Sequence, residues 1–165
     1  MSNKTPNDSH DATVSVPSHS IYRHFWLVLL IGVLAVVLGL LASQQRSGSY
    51  IELGDKRFRT EVMDTEQART QGLSGRGGLD ADAAMLFVFD VPDKRCFWMK
   101  DMQFAIDILW FDSKKRLIHQ ETAVTPESYP ESYCVHGAQY VVELAAGTTE
   151  VVGVELGDVL VVHNR

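Results

Sequence analysis

Two neighbouring stretches decide the fold, Cys96-Phe97-Trp98-Met99-Lys100-Asp101-Met102 and Ala105-Ile106-Asp107-Ile108-Leu109-Trp110-Phe111. The first places two aromatic residues, two methionines and a lysine within seven positions. The second is an apolar strand that one acid, Asp107, interrupts. Local strand propensity alone does not explain this composition. We predict a strand that begins at Arg95 and a second strand over Ile106–Phe111.

Further short strands flank this pair and alternate apolar and polar residues with a period of two. Tyr50–Leu53, the turn Gly54-Asp55 and Arg57–Val62 together predict a β-hairpin. The remaining predicted strands are Met85–Phe89, Arg116–His119, Tyr140–Leu144 and Val159–Val162.

The segments between the strands predict one helix, one helical turn and several loops. Asp64 or Thr65 can cap a short helix that ends at Gly72, and Thr148–Val152 predicts a helical turn. The predicted loops are a turn around Val91–Lys94 and an irregular loop over Thr125–Gly137. With about seven short strands and one helix, residues 50–165 predict a mainly β (α+β) domain with a compact barrel-like or two-sheet core.

The longest apolar run of the chain lies before this domain. Residues 25–42 contain no charge and no hydrogen-bonding side chain other than the Trp26 indole. At about 1.5 Å per residue, a helix of this length extends about 27 Å, close to the hydrocarbon thickness of a bilayer. The sequence therefore predicts a transmembrane helix over 25–42, with the lipid bilayer as its partner. Residues 1–24 predict a disordered polar tail, and residues 43–49 predict a short tether.

A cleaved signal peptide is the competing interpretation of the same run. Such a peptide has a short basic leader, an apolar core of about 7 to 15 residues and small residues before the cleavage point. Here the leader and the core are both longer, and Leu40-Leu41-Ala42 puts a leucine where a small residue is needed. We expect an uncleaved signal anchor. Basic residues nearly balance across the run, but Arg23 abuts it and a large domain follows, which favours a domain outside the cytoplasm.

The net charge of the chain bears on its partners, and the two cysteines bear on its cellular compartment. A net charge of -6 argues against nucleic acid or an anionic membrane surface as a partner, because both are bound through excess Lys and Arg. Cys96 and Cys134 are even in number and lie in a domain expected to be exported, which predicts a disulfide. The alternative is two unrelated buried thiols that act as small apolar side chains.

A family resemblance covers the chain from about Tyr50 to Val162. Phe97-Trp98-Met99-Lys100-Asp101-Met102 resembles the FWMKN-type signature of the domain of unknown function 192 (DUF192) family. The other matching blocks, in the family's order, are Arg69–Arg76, Ala84–Phe89, Gln139–Gly147 and Val154–Asp158. The resemblance implies a small, mainly β domain of bacterial and archaeal proteins, often behind a signal peptide or an anchor. It implies no established activity, so it transfers no catalytic residue.

Aromatic and basic side chains form the predicted binding surface. Strand alternation would place Trp98 and Lys100 on one face, with Tyr129 and Tyr133 of the long loop closing over them. Exposed aromatic rings stack well on sugars and apolar groups, so an envelope glycan is one expected ligand.

Asp107 is the most unusual position for chemistry. If its face is buried, desolvation would raise its pKa and prepare it for acid or base work with Asp101 or Glu143. A structural ion pair with Lys100 or an arginine is the interpretation that we favour over catalysis. If the face is solvated, strand alternation alone explains the acid.

Other catalytic signatures are not evident in the sequence. His119, His136 and His163 lack metal-ligand spacing, so we expect no metal and no cofactor. The loop Gly75-Arg76-Gly77-Gly78 lacks the lysine of a phosphate-binding loop, and no serine lies in a nucleophile elbow.

These observations predict a membrane-anchored, extracytoplasmic domain that acts as a non-enzymatic binding or interaction module of the cell envelope. One alternative is an envelope hydrolase that uses Asp107 with a second carboxylate. Another is an accessory subunit that docks a neighbouring membrane protein.

Overall fold

The computed structural model describes residues 26, 29, 30, 32 and 48–163. The chain divides into two units, 1–46 and 47–165, and only the second is described continuously. In the described part of the chain, no helix has the length and apolar character to cross a bilayer. The predicted tail, most of the predicted span 25–42 and most of the tether lie outside the described residues, so these assignments stay predictions.

The second unit is mainly β, as predicted. Its strands are β1 (Tyr50–Leu53), β2 (Lys56–Met63), β3 (Ala83–Trp98), β4 (Ile106–Phe111), β5 (Leu117–Val124), β6 (Ser132–Ala145) and β7 (Val161–His163). Its helices are α1 (Glu66–Gln71), α2 (Thr148–Val152) and a single 3₁₀ turn at Pro126–Ser128. The predicted hairpin, the helix capped by Thr65 and the late helical turn are all confirmed.

All seven strands belong to one sheet in the order β5-β4-β6-β3-β2-β1-β7, which makes a half-barrel instead of two packed sheets. Every pairing is antiparallel except β2 with β3, which α1 connects as a crossover. The two edges of the sheet approach each other, because Arg116 forms a bridge with Val159 and the Leu160 N–H donates to the Lys115 carbonyl at 2.9 Å.

Apolar side chains fill both faces of the sheet. The barrel cluster receives side chains from both edges of the sheet, and it includes Ile51, Phe58, Leu109, Leu117, Leu144 and Leu160. The helix-side cluster includes Leu73, Met85, Phe87, Met99, Ile108 and Trp110. Because side chains alternate between the faces of a strand, adjacent residues such as Ile108 and Leu109 of β4 belong to different clusters.

The predicted turn at Val91–Lys94 is wrong, because β3 continues through it. The pairing with β6 shifts register between Val88 and Asp93 and again between Asp93 and Arg95. Pro92 lies within the first shift, where its missing N–H costs no ladder hydrogen bond. The turn-like residues therefore form a bulged section of one long strand.

The predicted irregular loop over Thr125–Gly137 is wrong in its second half. β6 already begins at Ser132, which pairs with Trp98. Only the segment from Thr125 to Glu131 lies outside the strands, so the signature residues of β3 have a paired strand beside them. This ribbon of β3 and β6 forms one wall of the candidate site.

Candidate functional site

A cavity of about 340 Å³ opens between α1 and the C-terminal half of β3. Helix α1 ends at Gly72, whose φ of 48° is readily adopted only by glycine and turns the chain so that Leu73 is buried against the sheet. The aromatic and charged residues of the cavity wall include Arg69, Phe89, Lys94, Arg95, Phe97 and Trp98.

Glu143 of β6 is the acid of this cavity. It lies opposite Met85 and Ile108, so its side chain belongs to the helix-side face of the sheet. The residue is only 6% exposed, and its Oε2 has no hydrogen-bond partner within residues 48–163. Burial raises the pKa of Glu143 from its ordinary value of 4.5 to about 8, although the charge of Arg76 opposes this rise. The carboxyl is therefore mainly protonated at neutral pH.

Arg76 does not neutralise Glu143 because another acid holds it. Its two terminal nitrogens donate to the two carboxylate oxygens of Glu61, at 2.7 and 2.8 Å. Such a bidentate pair directs the guanidinium away from other acceptors. Oε2 of Glu143, a residue of the cavity wall, thus keeps no hydrogen-bond partner within residues 48–163.

Basic side chains surround the cavity mouth. Arg69 donates to the Val88 carbonyl at 2.9 Å, and Arg95 donates to the Val91 carbonyl at 2.7 Å. Arg69, Lys94 and Arg95 make no ion pair among residues 48–163.

Arg95 contributes a second buried polar atom without a partner within residues 48–163, in addition to Oε2 of Glu143. Its guanidinium lies 4.0 Å from the ring centre of Phe89, and the Arg69 guanidinium lies 5.1 Å from the same centre. The Nε of Arg95 is buried and has no acceptor in the described part of the chain. Arg95 and Glu143, which both line the cavity, therefore each carry one buried polar atom without a partner in the described part of the chain.

Aromatic rings complete the wall. Phe97 is half-buried and packs edge-on against Phe87, with ring centres 4.8 Å apart. Trp98, the next residue of β3, also lines the cavity and is 57% exposed. The ring of Tyr129, 46% exposed, meets Trp98 edge-on with centres 6.5 Å apart. The structure thus brings together Trp98 and Tyr129, two of the four predicted binding residues.

The other two predicted binding residues lie elsewhere. Lys100 follows the end of β3, so strand alternation does not put it on the face of Trp98; its carbonyl accepts the Ser74 hydroxyl at 2.9 Å. Tyr133 lies opposite Phe97 and packs against the helix-side cluster. Neither residue lines the cavity.

The predicted disulfide is present and lies at the cavity. Cys96 and Cys134 are direct cross-strand partners on β3 and β6, and they are bonded. Both residues are exposed, and Cys96 lines the cavity. The bond therefore fixes the ribbon that carries Phe97 and Trp98.

Asp107 is fully buried but lies on the opposite face from Glu143. It pairs in register with Leu144 of the barrel cluster. Its carboxylate accepts the backbone N–H groups of Ala123, Gly147 and Thr149 at 2.8, 3.1 and 2.8 Å. Backbone donors thus take the place of the lysine or arginine that we expected.

The predicted carboxylate pair is not assembled around Asp107. The sheet separates it from Glu143. Asp101 is exposed in the turn after β3, with a φ of 58°. Of the three acids, Glu143 is the one that lines the cavity described above.

Two of the three histidines of the second unit, His119 and His163, lie beside glutamates. Nε2 of His119 lies 3.0 Å from a carboxylate oxygen of Glu121, and Nε2 of His163 lies 3.4 Å from one of Glu52. Among the residues that the structure describes, no three His, Cys, Asp or Glu side chains are grouped to hold a metal ion.

Sequence reasoning missed the cavity and the roles of Arg69 and Arg95. Glu143 carried a usable signal, because it interrupts the apolar run Tyr140–Leu144 as Asp107 interrupts its own strand. Arg69 and Arg95 carried no such signal, because no local sequence pattern indicates that a helix and a strand bulge bring them together.

Comparison with solved structures supports the same fold. A protein of unknown function from Novosphingobium aromaticivorans DSM 12444 superimposes with a TM-score of 0.63 at 22% identity, over 69% of this chain and 83% of that chain. A candidate transcription regulator from Sinorhizobium meliloti 1021 gives a TM-score of 0.64 at 26% identity, over 69% and 91%. No curated protein matches the sequence.

The family comparison covers all strands of the half-barrel except the last residue of β7. The model of DUF192, described as an uncharacterized ACR, matches residues 50–162. This range includes the signature at the end of β3, the cavity and the disulfide. The chain therefore belongs to the DUF192 family.

Proposed function

We propose that the half-barrel is a binding module whose cavity takes a small molecule with an apolar body and a polar group. The observation that carries the proposal is that two residues of the cavity wall each hold a buried polar atom without a partner within residues 48–163, namely Oε2 of Glu143 and Nε of Arg95. A buried polar atom without a partner costs about 1 to 3 kcal/mol, and native proteins hold few of them. A bound ligand would satisfy both groups.

The size and lining of the cavity support a small ligand. Ligand sites typically enclose about 300 to 1,000 Å³ and combine apolar walls with a few polar groups. At about 340 Å³, this cavity suits a single ring better than a polymer. Trp98 at the rim, next to Tyr129, offers an exposed ring for stacking.

The test is ligand-dependent stabilisation of the full chain in detergent. The panel contains cell-wall glycan fragments, small organic acids, amines and divalent cations. A ligand at one hundred times its Kd adds about 2.7 kcal/mol to the free energy of unfolding, which raises the melting temperature by several degrees. We expect Trp98→Ala and Glu143→Gln to reduce that rise, while Leu156→Ala, exposed and outside the cavity, keeps it.

Two results would contradict a binding role for this cavity. One is a panel in which no compound raises the melting temperature. The other is a ligand that stabilises the two cavity variants as much as the unaltered chain. Either result would favour a protein partner, as in an accessory subunit that docks a membrane protein.

A second candidate function is acid–base catalysis by Glu143. A general acid works best when its pKa is near the working pH, and burial raises the pKa of Glu143 to about 8. This version of the hydrolase hypothesis uses Glu143 without Asp107, which lies on the other face. Glu143→Gln would then abolish turnover of a bound substrate, whereas in a pure binding module it would alter affinity alone.

We further propose that residues 25–42 anchor the half-barrel to a membrane, with the domain outside the cytoplasm. The uncharged apolar run supports the anchor. The exposed Cys96–Cys134 bond supports the location, because exposed disulfides persist mainly in oxidising compartments.

A further inference from the structure

Positively charged side chains predominate in the cavity wall. Arg69, Lys94 and Arg95 contribute three positive charges, whereas the acids of the wall are Glu66 and the buried Glu143. Glu143 is mainly neutral at pH 7, because its pKa is raised to about 8. The wall is therefore net positive, although the chain as a whole carries a net charge of -6. A positive cavity in a negative protein selects an anionic ligand.

The two buried polar atoms without partners within residues 48–163 also favour an anionic ligand. Nε–H of Arg95 is a donor that lacks an acceptor within residues 48–163. A protonated Glu143 carboxyl is also a donor. A ligand that satisfies both must present acceptors, and a carboxylate presents two oxygens in the planar geometry that guanidinium groups favour.

The body of the ligand is constrained by the apolar wall. Phe87, Phe97, Trp98 and Met102 line the cavity beside the polar groups. Phe87 and Phe97 are held edge-on against each other, which leaves a flat ring as the best complement.

Resting on the proposed function, we propose that the ligand is a small organic carboxylate with a ring body. Its carboxylate accepts from Nε of Arg95 and from the Glu143 carboxyl, and its ring packs against Phe97 and Trp98. Lys94 and Arg69 attract the anion to the mouth of the cavity.

The test compares three probes that share one ring and differ in charge: benzoate, benzamide and benzylammonium. Each is titrated into the full chain in non-ionic detergent at pH 6.5 and constant ionic strength, with binding followed by calorimetry and by ligand-detected NMR. We expect benzoate to bind at least tenfold more tightly than benzamide, and benzylammonium to bind more weakly than either. Constant ionic strength is needed because salt screens the charges of the mouth.

A matched pair of lysine variants tests the charge of the mouth. Lys94→Gln removes an exposed cavity charge, and Lys114→Gln removes an exposed charge from the turn between β4 and β5. We expect the first to weaken benzoate binding several-fold and the second to leave it unchanged. Arg95→Gln is first checked for an unaltered melting temperature. We expect it to weaken benzoate binding about tenfold and benzamide binding less than twofold.

The pH dependence tests the Glu143 carboxyl. The charged groups near it are Glu66 and Arg69 of α1, Arg76 of the following loop, and Lys94 and Arg95 of β3. Of the two glutamates, Glu66 is exposed and Glu143 is buried. We expect benzoate affinity to fall between pH 6.5 and pH 9, because ionised Glu143 repels the anion, and Glu143→Gln to remove that fall.

The outcomes separate the ligand class from the proposed function. If benzamide or benzylammonium binds as well as benzoate, the cavity is a binding site but its ligand is not a carboxylate. If Lys94→Gln and Lys114→Gln behave alike towards benzoate, the charge of the mouth does not select the ligand, and the inference is overturned. If none of the three probes binds but another compound of the wider panel stabilises the chain and loses that effect in the cavity variants, the inference is overturned and the binding role stands. If no compound of either set binds, both are rejected.

Discussion

At the scale of single residues, Glu143 makes stability depend on pH. Its pKa is raised in the folded state from 4.5 to about 8, so the unfolded chain releases the proton first as pH rises. Its contribution to stability is therefore complete below about pH 4.5 and is lost as pH rises to about 8, at roughly 1.4 kcal/mol per pH unit. We expect denaturant midpoints of the unaltered chain to fall across this window, and those of Glu143→Gln to fall much less.

The control for this prediction is Glu150→Gln, an exposed acid on α2. Its pH dependence should match that of the unaltered chain. Equal slopes for Glu143→Gln and the unaltered chain between pH 5 and pH 8 would show that Glu143 is ionised or solvated in the folded protein.

Asp107 gives a second prediction for a single residue. Three backbone N–H groups donate to its carboxylate, two of them at the start of α2. In Asp107→Asn, the amide oxygen could still accept on one side, but the N–H₂ group would face the backbone donor on the other side, which we expect to cost about 2 to 4 kcal/mol. Thermal unfolding should show a melting temperature lower by on the order of 10 °C.

The matched control is Asp101→Asn, since Asp101 is exposed in a turn. Its melting temperature should change little. Ligand binding in folded Asp107→Asn should also be unchanged, because Asp107 and the cavity lie on opposite faces of the sheet. A folded Asp107→Asn protein with an unaltered melting temperature would contradict the structural role.

The sequence identified both buried acids but not what surrounds them. Each acid interrupts an apolar strand, and that pattern is visible locally. The donors to Asp107 lie 16, 40 and 42 residues away, so no local pattern could identify them. Whether Asp107 and Glu143 share a face depends on the register of β4 against β6, which is also a long-range property.

At the scale of secondary-structure elements, the ribbon of β3 and β6 depends on its disulfide. The bond joins residues 38 positions apart and so restricts the unfolded chain. The chain-entropy relation gives about 3 to 4 kcal/mol for a loop of this length. We expect the double variant Cys96→Ser/Cys134→Ser to lose about this amount in denaturant unfolding.

Reductant provides the internal control. A reducing agent should lower the denaturant midpoint of the unaltered chain towards that of the double variant, and it should leave the double variant unchanged. If the double variant and the oxidised chain unfold at the same denaturant concentration, the bond contributes no stability.

Elements with local signals were predicted well, and elements defined by their partners were not. The β1–β2 hairpin follows from its two-residue turn, and α1 follows from the Thr65 cap, whose hydroxyl accepts the Ala68 N–H at 3.2 Å. β3 was predicted as two strands separated by a turn at Pro92, and β6 was predicted too short, because Pro92 and the prolines before Ser132 look like breaks. Pairing across a bulged register overrides those local signals.

At the scale of the whole molecule, the candidate site is a product of topology. The parallel pairing of β2 with β3 requires a crossover, and α1 is that crossover. This crossover brings Arg69 to the Val88 carbonyl at the bulged part of β3 and into the same cavity wall as Glu143. The sequence could predict a mainly β domain, but not a cavity that residues from three separated segments build together.

The last prediction concerns where the molecule resides. If residues 25–42 anchor the chain, membranes washed with alkaline carbonate should retain the full chain, and deletion of 25–42 should release it. If the half-barrel lies outside the cytoplasm, its two cysteines should be oxidised in living cells. A thiol-reactive polymer, added after rapid denaturing lysis, should then modify the chain only after reduction, and then at two positions. Cys134→Ser leaves a single thiol at Cys96, which should react without reductant and so verifies the reagent. Two polymer additions to the unaltered chain without reductant would place the domain in a reducing compartment, and loss of the full chain during the carbonate wash would contradict the anchor.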